Sequence, residues 1–317
     1  MKYALASIVA TLFVVALADE PNRRREYSGI ALINGQLTVV DDQVNGRLIR
    51  LNASLETEER FSIVSVAEEE HVPLGHDLAA DLESIGRLGD GRVVVLSERL
   101  RCLIDRDGIV TQYPENYNEI GNRGLEGVAI RAEGRDSQIA LCWEGGYLQP
   151  TDVPLELEDR LTGVALDPVV MIHKLGANER PGEVTKIPAY TVKLDPPSKG
   201  YRFRMPDLEW IRTPSGGWGL LGLVSAENPQ ASRSSRFRYH WLVLFKLDHG
   251  EKTLVPIGEP IDLEELLGEI GKGNWEGVCW IDDHRLALCY DSFPPGPPRI
   301  AILNLRKLRP DWLYSAR

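Results

Sequence analysis

The chain is poor in features that announce a function. It has only 4 cysteines, 3 methionines and 6 histidines in 317 residues. None of the cysteines forms a C-x-x-C or Cys/His spacing, which excludes a zinc ribbon or finger. There is no G-x-S-x-G elbow, no H-E-x-x-H and no Walker loop, so common hydrolase, zincin and NTPase signatures are absent. Basic residues are the minority: 36 Lys and Arg against 47 Asp and Glu give a net charge of −11. That sign argues against a nucleic-acid backbone as partner. Long apolar runs are missing after the first eighteen residues, so no membrane span is expected in the rest. Hydrophobic residues at 43% and charged residues at 26% are nonetheless those of a globular chain.

The first eighteen residues read as an export signal. Lys2 provides a short basic start, Tyr3 to Ala18 is almost wholly apolar, and Ala16-Leu17-Ala18 is a small-x-small cleavage pattern. Cleavage leaves residues 19–317 as one domain, secreted or periplasmic. In that compartment Cys102, Cys142, Cys279 and Cys289 could be bridged in three ways or stay as small buried residues, and their spacing does not choose.

What the sequence does contain is a recurring phrase. A Glu or small substitute is followed by Gly, Ser or Trp and an aliphatic residue; some ten residues on, a hydrophobic strand ends in an acid. The copies begin at Tyr27-Ser28-Gly29-Ile30, Leu82-Glu83-Ser84-Ile85, Leu125-Glu126-Gly127-Val128, Asp207-Leu208-Glu209-Trp210 and Trp275-Glu276-Gly277-Val278. A weaker copy surrounds Thr162. The acids that close the following strands are Asp41, Glu98, Glu144, Glu227 and Asp291. A period of roughly 50 residues holds about four short strands, the size of a propeller blade. Gly89-Asp90-Gly91, Asp105 to Gly108 and Asp282-Asp283 supply turns between the apolar runs. One helix is expected, from Asp262 to Ile270, opened by an Asp262/Glu265 capping box. The fold expected is therefore all-β, a propeller of six blades, or five if the Thr162 copy is fortuitous. Gly217 to Gly222 spells G-x-G-x-x-G ahead of a strand, without the strand–turn–helix setting that would make it a nucleotide site.

Each phrase would start the innermost strand of a blade. Glu83, Glu126, Glu209 and Glu276, with Asn274, would then crowd one mouth of the channel as ligands for a hard cation, calcium above all. The competing reading is architectural: a residue repeated in every blade can tie neighbouring blades together. His76 beside Asp77 is the best His–Asp juxtaposition, while His71, His173, His240 and His249 offer no partner by spacing. Arg99 and Arg123 are candidate donors to an anionic group.

These phrases, Leu82 to Ile85 with Leu96-Ser97-Glu98-Arg99, Leu125 to Val128 and Trp275 to Val278, resemble the phytase-like, or SdiA-regulated, exported propellers. The resemblance implies a six-bladed exported propeller with esterase-like activity, and calcium in the phytase branch. The D-x-D-D-P-A-type phrase of alkaline phytases has no counterpart here. The resulting expectation is a calcium-associated hydrolase of small phosphoric or carboxylic esters, with Glu83, Glu126 and His76 as catalytic groups. The alternative is a non-catalytic ligand- or protein-binding propeller.

Overall fold

A computed structural model describes residues 26–41, 46–65, 68–74, 81–113, 124–147, 165–177, 182–183, 187–192, 194, 201–228, 237–291 and 299–314. The export segment, His76, Asn122, Arg123 and Thr162 lie outside the described residues.

The strands assemble into antiparallel four-stranded units, the third and fourth of which are joined at their outer edges by parallel pairing of Thr191-Val192 with Thr253-Leu254. The first holds β1 (Tyr27–Ile33), β2 (Gln36–Asp41) and β3 (Arg47–Asn52). The chain then leaves it for β4 (Phe61–Ser65) and returns as its outer strand β5 (Glu68–Pro73). The second holds β6 (Leu82–Arg87), β7 (Val93–Ser97), β8 (Cys102–Asp105) and β9 (Gly108–Gln112). The third is β10 (Leu125–Glu133), β11 (Asp136–Trp143), β14 (Val169–Leu175) and β16 (Ala189–Val192). Short accessory pieces accompany it: β12 (Gly146–Tyr147) pairs with β13 (Ala165–Leu166), and β15 (Gly182–Glu183) extends the edge of β9. The fourth is β17 (Arg202–Arg212), β18 (Trp218–Glu227), β19 (Phe237–Asp248) and β20 (Thr253–Pro256), with β21 (Ile261–Asp262) beside β19. The last is β22 (Asn274–Trp280), β23 (Arg285–Asp291) and β24 (Arg299–Asn304), completed by β4 from near the start of the chain.

That last pairing, Phe61 opposite Leu303 through Ser65 opposite Arg299, closes a ring by ordinary backbone hydrogen bonds. The innermost strands neighbour one another in the order β1, β6, β10, β17, β22 and back to β1. Apolar residues form five buried clusters, one between each adjacent pair of sheets. The fold is a β-propeller, and among the described residues its ring closes on five sheets. The weak copy at Thr162 falls between the second and third strands of one sheet, since β11 pairs directly with β14. It therefore starts no blade there, and the larger of the two expected blade counts finds no sixth sheet among the described residues.

Local chemistry explains the turns. Asn34 and Gly35, at φ 51° and 82°, make the two-residue hairpin between β1 and β2. The Asp282 carboxylate accepts from the backbone N–H groups of His284 and Arg285 and so shapes the β22–β23 turn. The expected helix is shorter than its capping box suggested. Asp262 caps α1 (Leu263–Leu267) by accepting from the Glu265 N–H, but Gly268 at φ 63° ends it, and a 3₁₀ turn follows. A second short helix, α2 (Leu305–Leu308), follows β24. No helix among the described residues is long and apolar enough to cross a membrane.

Candidate functional site at the channel mouth

The recurring phrase turns out to encode a bulge. In β1, β6, β10 and β22 the pairing register slips at Ser28, Glu83, Glu126 and Glu276 respectively, so each inner strand carries one extra residue there. A bulge re-aims the side chain of the extra residue and twists the strand. The small residue that follows is needed because inner strands converge at this level. A Cβ on Gly29 would lie 2.6 Å from the Ser84 Cα, and one on Gly127 would lie 2.8 Å from the Asp207 Cα.

In the fourth sheet the register slips by one residue between Arg204 and Asp207, where Met205 and Pro206 together oppose Val224. A proline, lacking an N–H, is tolerated at such a break. Asp207 therefore stands where the other sheets have Gly29, Ser84, Gly127 and Gly277. Glu209, two residues further along β17, is displaced from the mouth towards the opposite end of the channel. There it lines a cavity of about 210 Å³ with Arg87, Ile130, Cys279 and Trp280.

Asp207 performs the blade-tying task. Its carboxylate accepts from the Val278 N–H at 2.8 Å and from the Ser84 hydroxyl at 3.5 Å, and that hydroxyl accepts from the Val128 N–H at 3.2 Å. One buried side chain thus joins the inner strands of four sheets. The architectural role considered for the glutamates belongs largely to this aspartate.

Above it, the mouth gathers acids around a single guanidinium. Arg204 donates from Nε to Glu144 at 2.5 Å and from both Nη atoms to Glu276 Oε1 at 3.3 Å. Backbone contacts fix this arrangement: the Met205 N–H bonds to the Glu144 carbonyl, and Gly145 forms a bridge with Arg204. The Asn274 amide donates to Glu276 at 2.7 Å and to Asp291 at 2.9 Å, leaving its Oδ1 buried without a hydrogen bond. Glu126 is 9% exposed and makes no hydrogen bond among the described residues. Burial, reinforced by the nearby Glu144 and Glu83, holds its carboxyl well above the usual range. Burial also pushes the Glu276 carboxyl up to about 7, against the pull of Arg204. Glu83, Glu98, Asp41 and Asp291 are buried as well, so the strand-closing acids described here are interior groups and not solvated turn residues.

Of the residues expected from sequence, the structure thus brings together Glu83, Glu126, Glu276 and Asn274. Arg99 is at the rim, two-thirds exposed and 3.4 Å from Asp81. Glu144 was visible only as a strand-closing acid; Arg204 and Asp207 carried a signal in the insertion that misaligns their repeat. His240, which offers no partner by spacing, was not expected at the site. It lies across the sheet from Ser225, which pairs with Arg204, and neither ring nitrogen has a hydrogen-bond partner. Burial, with help from Arg204, pushes its pKa down to about 3. The preceding Tyr239 occupies the left-handed region at φ 61°, at a register slip between β18 and β19. By contrast His173 and His249 have tyrosine hydroxyl partners, at 3.1 Å from Tyr113 and 2.7 Å from Tyr190.

The donor set at the mouth suits a hard cation, being all oxygen with one unpartnered amide carbonyl. Yet among the described residues no three channel acids bring ligand oxygens within 4.8 Å of one another. The group that does, Asp282, Asp283 and His284, is a hairpin turn whose acids are engaged by Arg285 and Arg306. The four cysteines are buried free thiols, Cys289 lying opposite Gly277 and two positions out of register with Cys279.

No protein-family model matches the chain, and no curated protein matches it. Solved structures with similar strand arrangement include a gluconolactonase from Xanthomonas campestris, at 12% identity and a TM-score of 0.37, covering 89% of this chain and 87% of that one. A calcium-binding regucalcin from Agrobacterium tumefaciens is 8% identical with a TM-score of 0.40, over 89% and 92% of the two chains. A virginiamycin B lyase from Staphylococcus aureus is 10% identical with a TM-score of 0.37, over 90% and 96%. These are loose likenesses, and no chemistry of this chain follows from them.

Proposed function

We propose that this chain is an exported propeller hydrolase of small phosphoric or carboxylic esters, with calcium associated with the channel mouth. The observation that carries the reading is the buried Glu126 carboxyl, without a hydrogen bond among the described residues, beside the Glu144–Arg204–Glu276 array. Two neighbouring carboxyls in unlike settings divide acid and base roles. Glu126, held protonated by burial and its acidic neighbours, is the donor to a leaving oxygen. Glu276, titrating near neutrality, is the acceptor of a proton from water. Arg204 orients Glu276 and stabilises negative charge developing beside it. Glu83, Glu276 and the Asn274 amide oxygen would hold the cation, which when bound would polarise an ester oxygen. Arg99, at the rim, and Arg123, outside the described residues, remain candidates for binding an anionic group.

The array also supports a second reading. Arg204 engages Glu144 and Glu276 as a buried ion-pair network, which would serve a ligand- or protein-binding propeller equally well. A panel of chromogenic phosphate and acyl esters, assayed with and without chelator, separates the two. Turnover that falls at least about 100-fold in Glu126→Gln and in Glu276→Gln, with folding intact, supports the hydrolase. No turnover of any ester, with or without calcium, would favour the binding protein.

A further inference from the structure

The mouth contains one residue that breaks the repeat in both position and charge. Counting back from Asp207, Met205 takes the apolar position that Tyr27, Leu82, Leu125 and Trp275 hold on the other inner strands, and Arg204 stands one residue before it, the last paired residue ahead of the bulge. Its guanidinium is almost fully buried and lies between Glu144, which is completely buried, and Glu276, which is slightly exposed. Two features mark this as a filled cation position. The geometry is graded: Arg204 is close and backbone-fixed at Glu144 but only 3.3 Å from a single oxygen of Glu276. The guanidinium meets three carboxyls, Glu126, Glu144 and Glu276, with Glu83 and Asp291 next to these, while among the described residues the Asn274 Oδ1 has no hydrogen-bond partner. The guanidinium binds Glu144 through Nε and Glu276 through both Nη atoms, so the two carboxylates share one cation.

We propose that Arg204 is the resident counter-cation of the channel mouth and limits its affinity for an exogenous divalent ion. The inference rests on the reading of the mouth as a calcium-associated site, and it concerns ion affinity and not turnover. An incoming ion would have to share Glu276 with the guanidinium and would meet a mouth already carrying one positive charge.

Calcium chloride titrated calorimetrically into the chelator-stripped full chain provides the test, with the calcium-induced rise in melting temperature as a second readout. Arg204→Met removes the internal charge and is expected to bind calcium at least about tenfold more tightly than the native protein, with a larger thermal shift. Arg204→Lys keeps the charge and should stay within about threefold of native. The double variant Arg204→Met with Glu144→Gln removes both members of the buried pair, leaves the net charge unchanged, and should also stay near native. It is informative even where Arg204→Met alone fails to fold, since an affinity there tenfold above native would show that charge is not the limiting factor and overturn the proposal. Native binding with equal or weaker binding by folded Arg204→Met would overturn it while leaving the calcium site standing. Calcium binding by neither protein would overturn both, whereas binding by Arg204→Met alone would support the counter-cation role without a native calcium requirement.

Discussion

Replacing His240 by leucine should make the protein more stable, and increasingly so as the pH falls. The imidazole is fully buried, neither nitrogen has a hydrogen-bond partner, and its pKa is pushed from 6.5 down to about 3. A neutral imidazole always carries one N–H, and an unsatisfied buried donor costs about 1–3 kcal/mol. Leucine has similar volume and no such donor, so a gain of about 1–2 kcal/mol is expected at pH 7.5. The pH dependence follows from proton linkage. With the folded pKa depressed, the unfolded chain takes up the proton first, so the neutral form contributes stability above pH 6.5 that is lost as the pH falls towards 3. The loss is about 1.4 kcal/mol per pH unit in that window, or about 2 kcal/mol between pH 6.5 and 5. Glu276 acts in the opposite direction. Its folded pKa is raised from 4.5 to about 7, so its contribution is present at low pH and is lost as the pH rises through 7. Only the difference between native and variant isolates the histidine. Urea unfolding at pH 7.5, 6 and 5 measures it, with equal m-values required for the comparison. A His240→Leu protein that is less stable at pH 7.5, or shows the same acid dependence as native, would refute the unpartnered neutral imidazole.

Three further outcomes follow from the ring. Asp207→Ala removes the acceptor shared by the Val278 N–H and the Ser84 hydroxyl, and should cost about 2–4 kcal/mol in urea unfolding, with Asp207→Asn costing less. Gly127→Ala would place a methyl 2.8 Å from the Asp207 Cα and 2.9 Å from the Pro206 carbonyl, so a loss of about 1–3 kcal/mol is expected; an unchanged urea midpoint would mean the inner strands are less tightly packed than described. The four buried thiols should not react with a thiol-specific chromophore in the native protein and should all four titrate after denaturation without reductant. Fewer than four would reveal a bridge.

The sheets were legible because their signals are local and repeated. Apolar runs of strand length, Asp- and Gly-bearing turns, and a phrase recurring about every 50 residues each state the same architecture. The mouth was half legible for the same reason. Glu83, Glu126 and Glu276 share a bulge position, and the Gly or Ser after them is forced by the close approach of adjacent inner strands. Glu209 was misassigned because the match Asp207-Leu208-Glu209 looks like the phrase but is out of structural register. The bulge at Met205-Pro206 places Asp207 at the small-residue position and Pro206 at the glutamate position. The phrase was therefore matched two residues too late. His240 was illegible for a related reason: its neighbours come from β17 and β18, and no spacing along the chain encodes them.

The placement of these exceptions bears on function more than the repeat does. A propeller needs its blades to be alike where they pack, and the repeated Gly, Ser and aliphatic positions meet that need. Chemistry needs unlike groups brought together, which a strict repeat cannot supply. In this chain the departures are concentrated in the fourth sheet: a buried Arg204 ahead of the bulge, Asp207 where a small residue is the rule, a left-handed Tyr239 and a His240 with no hydrogen-bond partner among the described residues. The acids they face, Glu126, Glu144 and Glu276, come from the sheets on either side. A purely architectural ring of glutamates would gain nothing from placing a buried guanidinium and an unpartnered imidazole in one of its sheets. Both carry a desolvation cost, and an apolar pair would fill the same space with less of it. Their joint presence at one mouth is the pattern expected of a site that binds charge. For this reason Glu126→Gln should raise stability by relieving a buried carboxyl while abolishing whatever the mouth does. Loss of stability in that variant would return Glu126 to the architecture.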